Sequence, residues 1–383
     1  MERFDFFPRT RIVFGVDKLE MLGELAAELG ARRALVVSDP GVIAAGHTAR
    51  GVASLQQREI DTHVFQEVRE NPTTDDVGTG LKVAQSFHPD MIVGLGGGSS
   101  MDCAKGINFL FTNGGRMQDY WGVGKARHPM LPMIAVPTTA GTGSESQSFA
   151  LISDADTQAK MACGDKKASC RVALLDPVLT LTQPPRVTAV TGIDAIAHAL
   201  ETWVTTRRNP ISRTFSREAW RLLAGSFAQV LERPDDLEAR GGMQLGACLA
   251  GLAIENSMLG AAHALANPLT ATFGIIHGEA VGLMLPHVIR FNGQLHGEWY
   301  ESLSRPASTA AGPPAPESGA AGLAELVSAL VAKAGLSLRL SQLEVDEAAL
   351  PQLAVAASEQ WTGKFNPRPV SPSDFLDLYR QAF

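Results

Sequence analysis

MIVGLGGGSSMDCAKGINFL, residues 91–110, joins an apolar run to a cluster of glycines and then to a segment with helical spacing and a Ser/Asp-rich first turn. Met91 to Leu95 reads as a strand buried on both faces, the pattern of a parallel sheet. Gly96, Gly97 and Gly98 let backbone N–H groups approach an anion at the positive end of the helix that follows. The spacing matches neither GxGxxG nor GxxxxGK[ST], so a standard dinucleotide fingerprint and a Walker loop are both disfavoured.

Similar strand-like runs lie on either side: IVFG at 12–15, ALVVSD at 34–39, DTHVF at 61–65 and PMIAVPTT at 132–139. Amphipathic windows such as KLEMLGELAAELG separate them, with Leu19, Leu22, Leu25, Ala26 and Leu29 near helical spacing. The alternation predicts an α/β region with a parallel sheet covered by helices. Beyond Pro184 it stops. TAVTGIDAIAHALETWV, SREAWRLLAGSFAQVLE and MQLGACLAGLAIENSMLGAAHALANPL each read as a long apolar-rich helix. The Gln183-Pro184-Pro185 break therefore divides an α/β nucleotide-binding domain, residues 1–185, from an all-helical domain, residues 186–383. RPASTAAGPPAPESGAAG, at 305–322, has no apolar periodicity and reads as an exposed loop.

The 383 residues are enough for two domains, and 45% hydrophobic with 19% charged residues is a globular composition. A net charge of -7, with no dense Lys/Arg run, disfavours nucleic acid as a partner. No export signal and no long apolar span is visible, so the expectation is a cytoplasmic protein with no membrane partner. Cys103, Cys163, Cys170 and Cys248 form no CxxC pair and fit reduced thiols.

A second loop, Pro137-Thr138-Thr139-Ala140-Gly141-Thr142-Gly143-Ser144-Glu145, also follows an apolar strand. Two loops of this kind at strand ends imply a crevice for a polyphosphate ligand. Asp39 ends the strand ALVVS, where a carboxylate can accept from the ribose hydroxyls of NAD and repel the extra phosphate of NADP; a turn or N-cap role is the alternative. In the helical half, Asp194 and His198 are four apart and share one helix face. His263, on a helix, and His277, after a Phe-Gly turn, complete a set of one carboxylate and three imidazoles suited to Fe(II) or Zn(II). Of the remaining histidines, His47, His63, His88, His128 and His296 read as solvated and His287 as structural.

With these residues in hand, the chain resembles the iron-containing, or group III, alcohol dehydrogenases. The motifs are GGGSSMDCAK at 96–105, PTTAGTGSE at 137–145, GIDAIAHALE at 192–201, HGEAVGLMLPHV at 277–288 and FNPR at 365–368. The resemblance implies a dehydroquinate-synthase-like fold with the metal in a cleft between the two domains. Its ligands fall on Asp194, His198, His263 and His277. Cofactor contacts fall on Asp39, Asn71, Gly97, Gly98, Ser99, Asp102, Thr138, Thr139, Ser144, Phe149, Lys160 and Leu179. It also implies a homodimer or a larger assembly acting on a small alcohol or the matching aldehyde or ketone, while Asp39 favours NAD over NADP and the donor set suits Fe2+ or Zn2+ alike.

Two positions depart from the pattern. Many alcohol-active members carry another His one turn after the third ligand, where this chain has Asn267, an amide that relays no proton at neutral pH. Some members have a hydroxyl residue where this chain has Gln147. No proton acceptor is assignable from the sequence, so the catalytic residues stay open. A dehydroquinate-synthase-like lyase and a maleylacetate-reductase-like enzyme are the alternatives built from the same parts, and a non-enzymatic nucleotide sensor is the outside one.

Overall fold

The strand Met91–Gly96 is buried along its whole length and lies near the centre of a six-stranded sheet. The computed structural model describes residues 4–157, 159–304 and 319–383. The chain divides into two compact units, residues 7–183 and residues 184–383, with the segment ending at Phe6 joined to the second. The Phe6 ring accordingly packs 6.0 Å from that of Phe215.

The first unit contains strands β1 (Arg11–Phe14), β2 (Arg33–Val37), β3 (Asp61–Phe65), β4 (Met91–Gly96), β5 (Gly122–Val123), β6 (Met133–Pro137), β7 (Phe149–Ser153), β8 (Lys160–Gly164) and β9 (Val172–Leu175). Its helices are α1 (Leu22–Glu28), α2 (Pro40–Ala44), α3 (His47–Gln56), α4 (Thr74–Phe87) and α5 (Gly98–Asn113). The main sheet runs in the order β1-β9-β6-β4-β2-β3, with every pairing parallel. Two apolar clusters fill it out, one around Leu35, Ile92, Met101 and Ile107, the other around Leu22, Val36, Val93 and Val136. Alternate residues of β2, β4 and β6 thus feed opposite clusters, as a sheet covered on both faces requires. From β2 the chain passes outward to β3, and from β4 it passes the other way to β6, so the ends of β2 and β4 form a topological switch point. Asp39 and Gly96 to Gly98 lie there.

A second sheet, β5-β8-β7, contains the antiparallel pair β7 and β8 and was not foreseen. KMACG holds no β-branched or aromatic residue, so the partner strand of FALIS gives no strand signal in the sequence.

The second unit is helical: α6 (Pro185–Val204), α7 (Pro210–Glu232), α8 (Leu237–Glu255), α9 (Ala261–Phe273), α10 (His277–Ser304), α11 (Gly319–Lys333), α12 (Leu350–Glu359) and α13 (Pro372–Gln381). The stretch MQLGACLAGLAIENSMLGAAHALANPL, expected as one helix, is two. It breaks between Glu255 and Ala261, where Asn256 leaves helical geometry and Gly260 adopts φ -139° and ψ -144°. Of the expected exposed loop at 305–322, residues 305–318 lie outside the described residues. Gly319 to Gly322 instead open α11, whose Gly322, Leu323 and Ala324 are buried. Among the described residues, no helix is long and apolar enough to cross a membrane.

Candidate active site

α6 projects Asp194 and His198 from one face, α9 supplies His263 in its first turn, and His277 opens α10 three residues after the left-handed Gly274 that ends α9. One ligand atom each from Asp194, His263 and His277 lies within 4.8 Å of the others. Asp194 Oδ1 is the common point: it stands 3.4 Å from His198 Nε2, 3.4 Å from His263 Nε2 and 3.9 Å from His277 Nε2. The His198 and His263 rings stack at 4.9 Å, and His263 and His277 are 5.4 Å apart. His277 is the open side, with 28% of its side chain exposed, while the other three residues are buried.

Electrostatics and hydrogen bonding both fit a cation. Asp194 Oδ1 and His263 Nε2 are buried and make no hydrogen bond among the described residues, although each would be costly to leave so. Burial pushes the Asp194 carboxyl up, but His198, His263 and His277 outweigh it and hold it below the usual carboxylate range. Burial likewise works to lower His263, yet the Glu201 and Asp194 carboxylates raise it to about 9. Oxygen and imidazole donors converging on one point are the donor chemistry that Fe(II) or Zn(II) takes.

Glu201 was not foreseen. Its Oε2 pairs with His263 Nδ1, and its Oε1 accepts from Ala262 N at 2.7 Å. The signal was present in GIDAIAHALE, since residue 201 is seven past 194 and shares its helix face. Asn267 is one turn beyond His263 and donates from Nδ2 to Gln360 Oε1 at 3.0 Å.

In the α/β unit the two glycine-bearing loops touch. Gly97 is the N-cap of α5 and offers no capping side chain, so N–H groups of the first turn remain available to an anion. A Cβ on Gly98 would lie 2.7 Å from Thr142 Cγ2, and one on Gly97 would be 3.4 Å from Thr139 Cγ2. Gly96, at φ +157°, has no room for a side chain beside Ser100 Oγ and Asp39 Oδ2. Thr138 N donates to Gly96 O at 3.0 Å, which ties the loops together.

Asp39 does the N-cap work that was its alternative reading, accepting from Val42 N at 3.1 Å, and its Oδ2 also accepts from Ser100 Oγ at 3.0 Å. Asn71 N donates to Ser99 Oγ at 3.3 Å, and Lys160 Nζ reaches Asn71 Oδ1 at 3.5 Å, so these three residues form one group. Asp102 and Ser144 pair at 2.6 Å beneath the loops. Burial raises the Asp102 carboxyl above its ordinary value, against the pull of Lys105 and Ser144. Lys105, likewise unforeseen, is fully buried and donates to Ser144 O at 2.6 Å, Ser144 Oγ at 2.9 Å, Gln147 O at 2.9 Å and Phe149 O at 2.8 Å. Phe149 begins β7, and Leu179 is buried in the apolar cluster around Val36.

Comparison with known proteins identifies the family. Residues 8–177 match the model for iron-containing alcohol dehydrogenases, and residues 188–383 match the model for the C-terminal part of that family. The 1,3-propanediol dehydrogenase of Citrobacter freundii is 32% identical over 382 residues, covering 99% of both chains. The crystal structure of a 1,3-propanediol oxidoreductase superposes with a TM-score of 0.94 at 30% identity and covers 100% of both chains. The sulfoacetaldehyde reductase of Bifidobacterium kashiwanohense, solved in complex with NAD+, superposes with a TM-score of 0.90 at 25% identity and covers 100% of this chain and 99% of that one. The chain therefore belongs to the iron-containing alcohol dehydrogenase family and is an oxidoreductase that works between alcohols and aldehydes.

Proposed function

We propose that the protein is an NAD-dependent alcohol dehydrogenase or aldehyde reductase whose divalent cation, Fe2+ with Zn2+ as the alternative, is held by Asp194, His198, His263 and His277. The observation that carries this reading is the approach of three imidazole Nε2 atoms to the single buried oxygen Asp194 Oδ1. When bound, the cation supplies Lewis acidity that lowers an alcohol's pKa, and the nicotinamide supplies the hydride acceptor. Asp194 contributes the one negative charge among the four side chains, and Glu201 fixes the orientation of the His263 ring.

The division of labour follows the boundary near residue 185. Residues 1–185 would hold the dinucleotide: the N–H groups at the start of α5, with Ser99, Thr138 and Thr139, would bind its phosphates, and Gly97 and Gly98 would allow close approach. Asn71, Asp102, Ser144, Phe149, Lys160 and Leu179 shape or line that site. Residues 186–383 hold the cation. Asp39 at the end of β2 favours NAD over NADP by charge. The relative solved with NAD+ supports this cofactor, and the propanediol enzymes support a small alcohol as substrate. The working form is a cytoplasmic homodimer, in keeping with the family resemblance and four buried free thiols.

The test is anaerobic purification followed by elemental analysis and a panel of small alcohols and aldehydes with NAD(H) and NADP(H). The expected result is one Fe or Zn per chain and turnover that is lost in His263→Ala. Full turnover by a metal-free preparation refutes the reading.

A further inference from the structure

FNPR, residues 365–368, is a motif to which the reaction gives no role. Asn366 within it is buried and faces the start of α9, where the cap position is Gly260. A Cβ on Gly260 would lie 3.1 Å from Glu201 Oε1 and 3.2 Å from Asn366 Oδ1. Two oxygens from distant parts of the chain thus occupy the place of a capping side chain. Glu201 Oε1 accepts from Ala262 N at 2.7 Å, and Asn366 Oδ1 accepts from Ala261 N at 3.4 Å.

Asn366 is also paired with Asn292 of α10 through both amides. Asn292 Nδ2 donates to Asn366 Oδ1 at 3.0 Å, and Asn366 Nδ2 donates back to Asn292 Oδ1 at 2.7 Å. Arg368 Nη1 donates to Phe291 O at 2.9 Å, on the same helix. Phe365 O accepts from Thr205 Oγ1 at 3.1 Å and from Thr206 N at 2.8 Å, at the end of α6. One tetrapeptide therefore ties together α6, α9 and α10, the three helices that carry Asp194, His198, His263 and His277.

We infer that this double cap, Glu201 together with the Asn366–Asn292 amide pair, is a positioning device for the cation site. It rests on the reading of those four side chains as metal ligands. His263 directly follows the two capped N–H groups, so the cap sets where α9 begins and how far its imidazole reaches towards Asp194. Glu201 Oε2 at His263 Nδ1 places the ring proton there and leaves Nε2 free to bind the ion. Breaking one side of the amide pair leaves buried groups unsatisfied on the other, so the helices shift to recover them.

The experiment measures Co2+ and Zn2+ binding to the full-length chain by chelator competition, with the visible absorption of the Co2+ form recorded at saturation. Glu201→Gln, Asn366→Ala and Asn292→Ala are compared with Tyr379→Phe, whose lost hydroxyl otherwise donates to Leu265 O at 2.6 Å in the same helix. Loss of an outer partner costs a metal site about 10–100-fold in affinity. The expected result is a loss in that range for Glu201→Gln and about tenfold for the two Asn variants, each with an altered Co2+ spectrum. Tyr379→Phe is expected to lower Tm and leave both affinity and spectrum unchanged. Wild-type affinity and spectrum in Glu201→Gln overturn the inference, and Glu201→Gln alone decides it if the Asn variants do not fold. Equal weakening by Tyr379→Phe also overturns it. A wild-type chain that binds neither ion overturns the metal reading itself, and the inference with it.

Discussion

Asp194 Oδ1 and His263 Nε2 face each other at 3.4 Å, both buried and neither hydrogen bonded among the described residues. An acceptor oxygen and a ring nitrogen so placed are held apart at a distance that a cation between them would convert into two bonds. Asp194→Asn keeps the shape and removes the charge. It is expected to weaken Zn2+ or Fe2+ binding by more than the about 10–100-fold that loss of an outer partner costs, and to remove turnover. Chelation of the wild type is expected to lower its thermal stability, since free ion at 100 times its Kd stabilises a fold by about 2.7 kcal/mol. Metal content, activity and Tm measured on the same samples check this. Unchanged metal content in Asp194→Asn removes Asp194 from the ligand set.

Asp39, proposed above to set the choice of cofactor, already has two structural jobs. Asp39 caps α2 through Val42 N and holds Ser100 Oγ, so a plain deletion confuses charge with structure. Asp39→Ser retains a capping oxygen and loses the charge. The expected outcome is a rise of about tenfold or more, equal to about 1.4 kcal/mol, in the ratio of kcat/KM with NADP+ to that with NAD+, with Tm little changed. A constant ratio shows that Asp39 serves the helix alone.

Much of this site is written in local patterns, and the rest is not. Asp194 and His198 are legible because a spacing of four on a helix needs no knowledge of the fold. The glycine turn after β4 is legible because strand, turn and helix are adjacent in sequence. Lys105 and Glu201 were passed over because what distinguishes them is their partners: carbonyls at 144, 147 and 149 for one, His263 and Ala262 for the other. The break between α8 and α9 escaped for a related reason. IENSMLG carries only weak stop signals, and the cap that starts α9 comes from residues 201 and 366 rather than from its own flank.

His287 gives a pH dependence of stability. Burial, with help from Arg290, lowers its imidazole to about 4, against an ordinary value near 6.5. The unfolded chain then binds the proton more tightly than the folded one. The contribution is complete above about pH 6.5, where both states are neutral, and falls away as pH drops from there towards about 4. Between pH 7.5 and pH 5 the wild type is expected to lose more stability than His287→Gln, measured as the urea midpoint. Equal losses in the two proteins place the titration elsewhere.

Asn267 is not among the four residues proposed to hold the metal, and its amide carries no titrating proton. It stands one turn beyond His263, and its Nδ2 donates to Gln360 Oε1 at 3.0 Å, so an uncharged amide pair occupies this flank of α9. Neither amide titrates in the working pH range, so no limb of the pH–rate profile can come from this position. Asn267→His introduces a group with an ordinary value near 6.5, and Gln360 Oε1, which accepts from Asn267 Nδ2 at 3.0 Å, is near enough to accept a hydrogen bond from a ring nitrogen there. The expected result is a new inflection in log kcat/KM for alcohol oxidation, in the range of about pH 6–7, with metal content unchanged because the four residues proposed as ligands are untouched. If the added imidazole communicates with the reacting proton, the profile gains that limb and Gln360→Leu in the same background shifts it. A profile that superposes on the wild type at every pH shows that the proton leaves by a route that does not pass residue 267.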